Sequence, residues 1–320
     1  MDHQKIGVKN KRTPGWKYYR FALANLIRMG HCAPTVMKSI LDISSVEKEW
    51  LVKLSAGMPG GIGNTGHECG AVTSPLVLMG TRFGLGSIDH QLPVIFEKGH
   101  ALCRDFLTCQ HTLQCREIRG KDRFPRHCIP PVLRSPGLFL DALDGDHQGS
   151  IPAASREAYT SLYSYMGENT FHCAQDVFIR LGYHPEKDKE LFDAASAFMG
   201  GTLFMGKTCS AFTAGVMAIS LKIGEIENSP VRVIRLLAIM TAGSSHAFDD
   251  QINKFNRSMN FGYKLSKWFA GEFGSTQCQK ITGCDFSDPK EVSRYIESDC
   301  ITRCKQIAEK VAMKVQEMMA

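Results

Sequence analysis

Apolar residues recur along most of the chain at intervals of three and four, the spacing of a helix with one buried face. Residues 47–56, 187–198 and 288–319 show this period. Residues 16–29 show it at Trp16, Tyr19, Leu23, Leu26 and Ile27. The strict alternation of apolar and polar residues that marks a half-buried strand is scarce. The pattern predicts an all-α protein.

The chain also contains one cysteine pattern twice. Three motifs recur in order, His-Cys-Ala, a glycine-rich stretch that leads into a cysteine, and Gln-Cys-x-x-Ile-x-Gly, at residues 31–33, 60–71 and 114–120 and again at 172–174, 200–211 and 277–283. A fourth cysteine follows in each copy, in a weaker pairing. The recurring cysteines are Cys32, Cys69, Cys115 and Cys128, then Cys173, Cys209, Cys278 and Cys304. A duplicated set of thiols points to a metal or redox site in each copy.

The spacing of these cysteines predicts two homologous lobes. The first and second cysteines are 37 residues apart in one copy and 36 in the other, whereas the second and third are 46 and 69 apart. The extra length falls at 225–262 and predicts an added helix or a longer hairpin, and the segment 124–155, rich in Pro and Gly, predicts a linker. We expect two helical-bundle lobes, 1–135 and 136–320, related by internal duplication. They would form an internal pseudo-dimer, and further oligomers stay open.

The composition limits the classes of partner. A chain of 320 residues with 43% hydrophobic and 22% charged residues suits two globular domains. The net charge of +6 comes from scattered Lys and Arg, so we expect no nucleic-acid partner. We see neither an apolar run of the ~20 residues that a membrane span needs nor a secretory signal, so we expect a cytoplasmic protein. There, twelve cysteines favour metal binding, redox chemistry or core packing over disulfides.

The glycine-rich stretch before each second cysteine carries the strongest chemical signal. Cys69 and Cys209 follow it and open apolar segments that predict helices. A thiol in the first turn of a helix lies near the positive end of the helix dipole, which lowers its pKa and favours the thiolate that binds metal. In a single copy the glycines could equally just end one helix and start the next. Their recurrence with a cysteine at the same place favours a site.

Three further motifs are considered and not favoured. Residues 61–66 fit G-x-G-x-x-G, but the segment before them predicts a helix where a dinucleotide fingerprint needs a strand. Residues 144–149 begin like a calcium loop, but Ser155 stands where its closing glutamate belongs, so we expect a turn. We find no C-x-x-C pair, which disfavours the common structural zinc modules.

The remaining cysteines and two histidines leave alternatives open. Three cysteines without a counterpart are expected to pack as small apolar side chains, namely Cys103, Cys109 and Cys284. Cys300 shares a predicted helical face with Cys304, so either could be the fourth thiol of the second copy. His31 and His172 precede the first cysteine of each copy, where a capping or core role is as well supported as metal ligation.

The order of the motifs resembles the C_GCAxxG_C_C family, over about residues 30–128 and 171–315. The resemblance implies redox activity and makes the eight recurring cysteines the metal ligands. The related split-Soret cytochrome c carries such cysteines and is thought to hold an iron–sulfur centre with them. Its haem motif, C-x-x-C-H, is absent here. Ser74 and Ala214 replace a family glycine, and both are small enough to preserve close helix packing. Ser210 replaces the glycine after the second cysteine in the second copy.

These observations favour an electron-transfer protein with one iron–sulfur cluster in each lobe and an unidentified redox partner protein. The alternative is a cysteine-based protein that binds Cu(I) or Zn, or one that works by thiol redox chemistry. A stand-alone enzyme with a nucleophilic Cys69 or Cys209 is less favoured, because no Cys–His–carboxylate set is recognisable. Pro130 and Pro131 follow Cys128, so we expect the second lobe to hold its cluster more firmly.

Overall fold

The computed structural model of the chain describes residues 15–85, 92–120, 127–145, 149–226, 231, 233–234, 256–298 and 300–320. Within these ranges the chain is helical and forms no strand. Two isolated antiparallel β-bridges lie within these ranges, one between Glu68 and Gln114 and one between Thr208 and Gln277. The predicted all-α class is confirmed. The insertion predicted at 225–262 lies largely outside the described residues, and the turn at 144–149 lies partly outside them.

The helices of the two repeats follow the same order. The first repeat contains α1 (Gly15–Met29), α2 (Cys32–Ser44), α3 (Glu49–Leu54), α4 (Gly70–Phe83), α5 (Val94–Gln110), α6 (Cys115–Arg119) and α7 (Ile129–Asp144). The second contains α8 (Ala153–Glu168), α9 (Cys173–Arg180), α10 (Lys189–Ala195), α11 (Ser210–Ile223), α12 (Arg257–Phe273), α13 (Cys278–Thr282), α14 (Pro289–Glu297) and α15 (Cys300–Met319). Helices α4 and α11 have 14 residues each, and α5 and α12 have 17 each. The shared order and lengths agree with a duplication.

The chain divides into two compact units that are discontinuous in sequence. The first unit comprises Met1–Pro75, Asp105–Asp144 and Ser220–Tyr263. The second comprises Leu76–Arg104, Gly145–Ile219 and Lys264–Ala320. The predicted lobes, 1–135 and 136–320, are contiguous, whereas each compact unit combines a large part of one repeat with a segment of the other.

Helix α1 packs on α2 and α7 through a different face from the one that the sequence predicts. Ala22 and Met29 are buried, whereas Tyr19, Leu23 and Ile27 are 41%, 51% and 63% exposed. The same packed face contains Asn25, whose amide donates to the Ser39 hydroxyl and the Asp42 carboxylate of α2. A small alanine, a hydrogen-bonded asparagine and Met29 therefore define the buried face, and Tyr19, Leu23 and Ile27 lie outside it.

The segment predicted as a linker contains a packed helix. Helix α7 lies against α1 and α2, and it buries Val132, Phe139 and Leu143. Pro130 and Pro131 lie in its first turn, where a missing N–H costs no intrahelical hydrogen bond. The prediction of a linker at 124–155 is therefore wrong for this part, because the prolines begin a helix instead of preventing one.

Helices α4 and α11 are buried on nearly every side. In α4 the side chains of Val72, Leu76 and Met79 are each 0% exposed, and in α11 Phe212 and Ala214 are also 0% exposed. The helices predicted after Cys69 and Cys209 are therefore present, and their apolar side chains are buried. No helix in the described parts of the chain combines the length and apolarity needed to cross a membrane.

Candidate functional site

The glycine-rich stretches form one turn of left-handed backbone in each repeat. Residues 60–64 and 200–204 have φ angles between +44° and +85° at every position. This conformation costs a non-glycine residue about 1–2 kcal/mol. Ile62, Leu203 and Phe204 adopt it although each carries a side chain, and all three are fully buried. Burial of these side chains offsets the backbone cost and fixes the turn.

The turn places the second cysteine beside the third. In the first repeat the N–H of Cys69 donates to Leu113 O at 2.8 Å, and the N–H of Cys115 donates to His67 O at 2.5 Å. The second repeat forms the same pair of bonds, Cys209 N–H to Thr276 O at 2.8 Å and Cys278 N–H to Lys207 O at 2.6 Å. Two reciprocal backbone hydrogen bonds therefore hold these cysteines together in each repeat.

The first cysteine joins them through a close approach that a glycine permits. Cys32 begins α2, and its Sγ would lie 2.7 Å from a Cβ placed on Gly70, the residue after Cys69. A larger residue at position 70 would displace the thiol. Gly70 therefore makes room for the first sulfur in the first repeat.

The four thiols of the first repeat interact electrostatically. Burial raises the pKa of Cys69 well above its usual range, and the charges of Cys32, Cys115 and Cys128 raise it further. Burial and the charge of Cys32 raise the pKa of Cys128 to about 12. Arg119 opposes this increase for both Cys115 and Cys128. The structure therefore brings all four predicted cysteines of this repeat into one group, called here the first thiol group.

The second repeat forms a matching second thiol group from Cys173, Cys209, Cys278 and Cys304. A hydrogen bond with Cys304 and burial raise the pKa of Cys173, and the charges of the other three thiols raise it further. The same bond, together with one from the Tyr295 hydroxyl, lowers the pKa of Cys304. The Tyr295 Oη lies 3.5 Å from the Cys304 Sγ. Of the two candidates for the fourth thiol, Cys304 is therefore the one in the group.

Cys284 and Cys300 lie next to the second thiol group. Burial raises the pKa of Cys284 to about 12, and the negative charges of Glu291, Asp285 and Cys300 contribute. Cys284 in turn raises the pKa of Cys278. Cys284 is 4% exposed, in agreement with its predicted packing role. The sequence did not predict that Cys284 lies near Cys278, because the first repeat has no cysteine that corresponds to Cys284.

Backbone N–H groups point at the sulfurs of both thiol groups. The N–H groups of Gly60, Ala33 and Gly70 lower the pKa of Cys32 against the larger effect of burial. At Cys209 the N–H groups of Phe212 and Ala211, in the first turn of α11, have the same effect. Hydrogen bonds of this kind stabilise a thiolate relative to a thiol. The N–H of Gly60 comes from the left-handed turn, and the others come from the first turns of α2, α4 and α11.

The two histidines differ in their roles. His172 is the N-cap of α9, where its Nδ1 accepts hydrogen bonds from the N–H groups of Ala174 and Gln175 at 3.2 and 3.3 Å. Burial lowers its pKa to about 4, so the ring is neutral at pH 7. His31 occupies the same position in the first repeat without a side-chain cap bond. For His172 the capping role is therefore the one observed.

The thiol groups are a suitable donor set for a thiolate-bound cluster. All twelve cysteines are free. Among the residues that the structure describes, no three His, Cys, Asp or Glu side chains are arranged to hold a metal ion. A single ion with bonds of ~2.3 Å draws its sulfurs close together, whereas a cluster distributes them over several iron atoms. Four interacting thiols with N–H donors fit the second arrangement better.

Comparison with known proteins gives one match, found twice. The model of the C_GCAxxG_C_C family, described as "Putative redox-active protein", matches residues 30–134 and again residues 171–318. Each match contains one complete thiol group. No curated protein and no solved structure matches the chain. The two matches follow the two repeats of the sequence.

Proposed function

The chain belongs to the C_GCAxxG_C_C family, and we propose that it is an electron-transfer protein that binds one iron–sulfur cluster in each thiol group. The proposal rests on one observation, the gathering of four interacting thiols in each repeat, most of them on buried cysteines. The ligands would be Cys32, Cys69, Cys115 and Cys128, and Cys173, Cys209, Cys278 and Cys304. A bound cluster would supply a site that gains and loses an electron.

The charge of the thiols supports this proposal. Burial and the charges of the neighbouring thiols raise the pKa of Cys69 and of Cys278, because several thiolates cannot share a buried volume without a compensating positive charge. Cys304, whose pKa is lowered by its hydrogen bonds, is the exception. Iron supplies such a charge. The N–H groups at Cys32 and Cys209 stabilise the negative sulfur in either oxidation state, and burial excludes water from the site.

Twelve free cysteines also indicate where such a protein works. Free thiols persist in a reducing compartment, so the proposal includes the cytoplasm and a redox partner protein there.

The second candidate function is thiol redox chemistry at one pair. Cys173 and Cys304 are close enough to share a hydrogen bond. Oxidation of the pair would form one S–S bond and release two protons and two electrons to an oxidant of the disulfide or quinone class. The hydrogen bond between Cys173 and Cys304 belongs to the second thiol group, so this redox chemistry is favoured in that group. Binding of a single Cu(I) or Zn ion lacks such support.

Anaerobic purification tests the main proposal. We expect a brown protein with iron and acid-labile sulfide in both thiol groups, whose visible absorption bleaches on reduction with dithionite. The variant Cys278→Ser should lose about half of the iron. Cys109→Ser, which changes a half-buried cysteine outside both groups, is the matched control and should keep all of it.

Three results would contradict the cluster proposal or a part of it. A colourless protein that keeps eight reactive thiols and takes up neither iron nor sulfide would refute the cluster. If that protein instead forms a disulfide between Cys173 and Cys304 with oxidised glutathione, the second candidate would replace it. Loss of all iron in Cys278→Ser would refute two independent sites.

A further inference from the structure

Tyr295 is the one aromatic hydroxyl described at a thiol group. It lies in α14, is 3% exposed, and places its Oη 3.5 Å from the Sγ of Cys304 in α15. These two helices are consecutive and pack on each other. A buried phenol normally has a hydrogen-bond partner. Here the partner is a sulfur that the proposed function makes a cluster ligand.

Neighbouring rings fix the position of the hydroxyl. The Tyr295 ring meets Phe286 edge-on with centroids 5.4 Å apart, and it meets Tyr165 edge-on at 6.5 Å. Phe286 is 1% exposed. The ring therefore stays in place when its hydroxyl is removed, and a phenylalanine at position 295 keeps both ring contacts.

The direction of the hydrogen bond follows from the chemistry of a ligand. A thiolate bound to iron carries no proton, so the Tyr295 O–H must donate and the Cys304 sulfur must accept. Such a bond is charge-assisted. Reduction adds negative charge to the cluster and its sulfurs, so the bond stabilises the reduced state more than the oxidised state.

The two thiol groups share most of their surroundings. The backbone hydrogen bonds between the second and third cysteines are the same in both. A cation also lowers the pKa of the fourth cysteine in each group, Arg119 at Cys128 and Arg303 at Cys304. The Tyr295 hydroxyl is an addition at Cys304.

We propose that Tyr295 is a positioning residue that raises the reduction potential of the second thiol group's cluster through its hydrogen bond to Cys304. This inference rests on the proposed function. It predicts that removal of the Tyr295 hydroxyl oxygen changes the reduction potential of the second cluster and leaves the first cluster unchanged.

The test is a redox titration of the reconstituted protein, followed by electron paramagnetic resonance. Tyr295→Phe should make reduction of the second cluster about three- to tenfold less favourable, which is about 30–60 mV for a one-electron couple. The first cluster should keep its potential, and the iron content should stay that of the parent. Signals are assigned with Cys115→Ser, which removes a ligand of the first group.

Tyr163→Phe is the matched control. Tyr163 is also 3% exposed, and its hydroxyl also donates a hydrogen bond, to Leu85 O at 2.8 Å. Its loss should move neither potential. Replacing the Tyr295 phenol by 3-fluorotyrosine gives a stronger donor of nearly the same shape and should move the second potential in the opposite direction. A purely structural role would not produce shifts of opposite sign.

The outcomes separate the two proposals. Full iron content with an unchanged second potential in Tyr295→Phe overturns the role of Tyr295 and leaves the cluster proposal intact. A shift of equal size in Tyr163→Phe also overturns it. A parent protein that binds no iron overturns the proposed function, and this inference with it.

Discussion

The Ser135 hydroxyl of α7 donates a hydrogen bond to the carbonyl oxygen of Ala71 in α4. In a regular helix this carbonyl would accept from the N–H four residues later, but that residue is Pro75, which has none. Both Ser135 and Ala71 are fully buried, so water cannot replace the missing donor. The serine of α7 therefore supplies the hydrogen bond that the backbone of α4 lacks at Ala71.

Removal of this hydroxyl should be costly. Ser135→Ala leaves a buried carbonyl unpaired, and we expect the free energy of unfolding to fall by about 1–3 kcal/mol. The exposed Ser161→Ala, whose hydroxyl bonds within its own helix, should stay within about 0.5 kcal/mol of the parent. Urea unfolding measures both. Equal costs for the two variants would contradict the assigned role.

The left-handed turn of the second repeat should not tolerate a side chain at Gly201. A Cβ there would lie 2.6 Å from the Cβ of Cys278 and 2.8 Å from the backbone of Lys207, at a φ of +72°. We expect Gly201→Ala to lose more than about 1 kcal/mol of stability from the backbone alone. It should also reduce iron uptake by the second thiol group.

Gly271→Ala is the control for that variant. Gly271 lies in α12, and no atom of a neighbouring element lies within 4 Å of the place that its Cβ would occupy. The alanine should therefore stabilise the helix by up to about 1 kcal/mol. Thermal unfolding and iron analysis of both variants measure the difference. Normal iron content in Gly201→Ala would show that the turn does not position Cys278.

Asn64 should be replaceable in the first repeat's turn. Its φ is +57°, and its Nδ2 has no hydrogen-bond partner within the described structure. Asn64→Gly removes the buried amide and suits the left-handed backbone, so we expect a gain of up to about 1 kcal/mol. Phe204, the equivalent residue of the second repeat, is fully buried, and Phe204→Gly should cost about 3–5 kcal/mol. Differential scanning calorimetry compares them.

His100 should make stability depend on pH. Burial lowers its pKa below 6.5, and its Nε2 lies 2.9 Å from Leu203 O in the left-handed turn. Below pH ~6.5 the unfolded chain binds more protons at this residue than the folded chain, so stability falls as the pH falls. His100→Gln should therefore lose less stability between pH 7 and pH 5 than the parent does.

Urea titrations at several pH values test this prediction. The exposed His184→Gln is the control and should follow the parent. Identical losses in the parent and in His100→Gln would contradict the assignment of His100 as the titrating group.

The sequence identified the thiol groups because the same four cysteines recur in order. Two features escaped it for physical reasons. Glycines indicate the left-handed turn at residues 60–64 of the first repeat. In the second repeat Thr202, Leu203 and Phe204 adopt the same conformation against their own preference, because their burial in the fold stabilises it. The hydroxyl of Tyr295 reaches Cys304 across two helices, and no spacing rule encodes that contact.

The sequence also did not predict which face of α1 is buried. The period of α1 predicted its helix correctly, but two residues of its predicted apolar face, Leu23 and Ile27, are exposed, and Ala22 and Asn25 pack inside. Close approach of α2 selects small or hydrogen-bonded residues, and hydrophobicity alone does not register this preference.

The division of the compact units has a consequence for fragments of the chain. Leu76–Arg104 of the first repeat belongs to the second unit, and Ser220–Tyr263 of the second repeat belongs to the first. A fragment cut between the repeats would therefore lack a part of its own unit, and we expect neither half to fold when it is expressed alone.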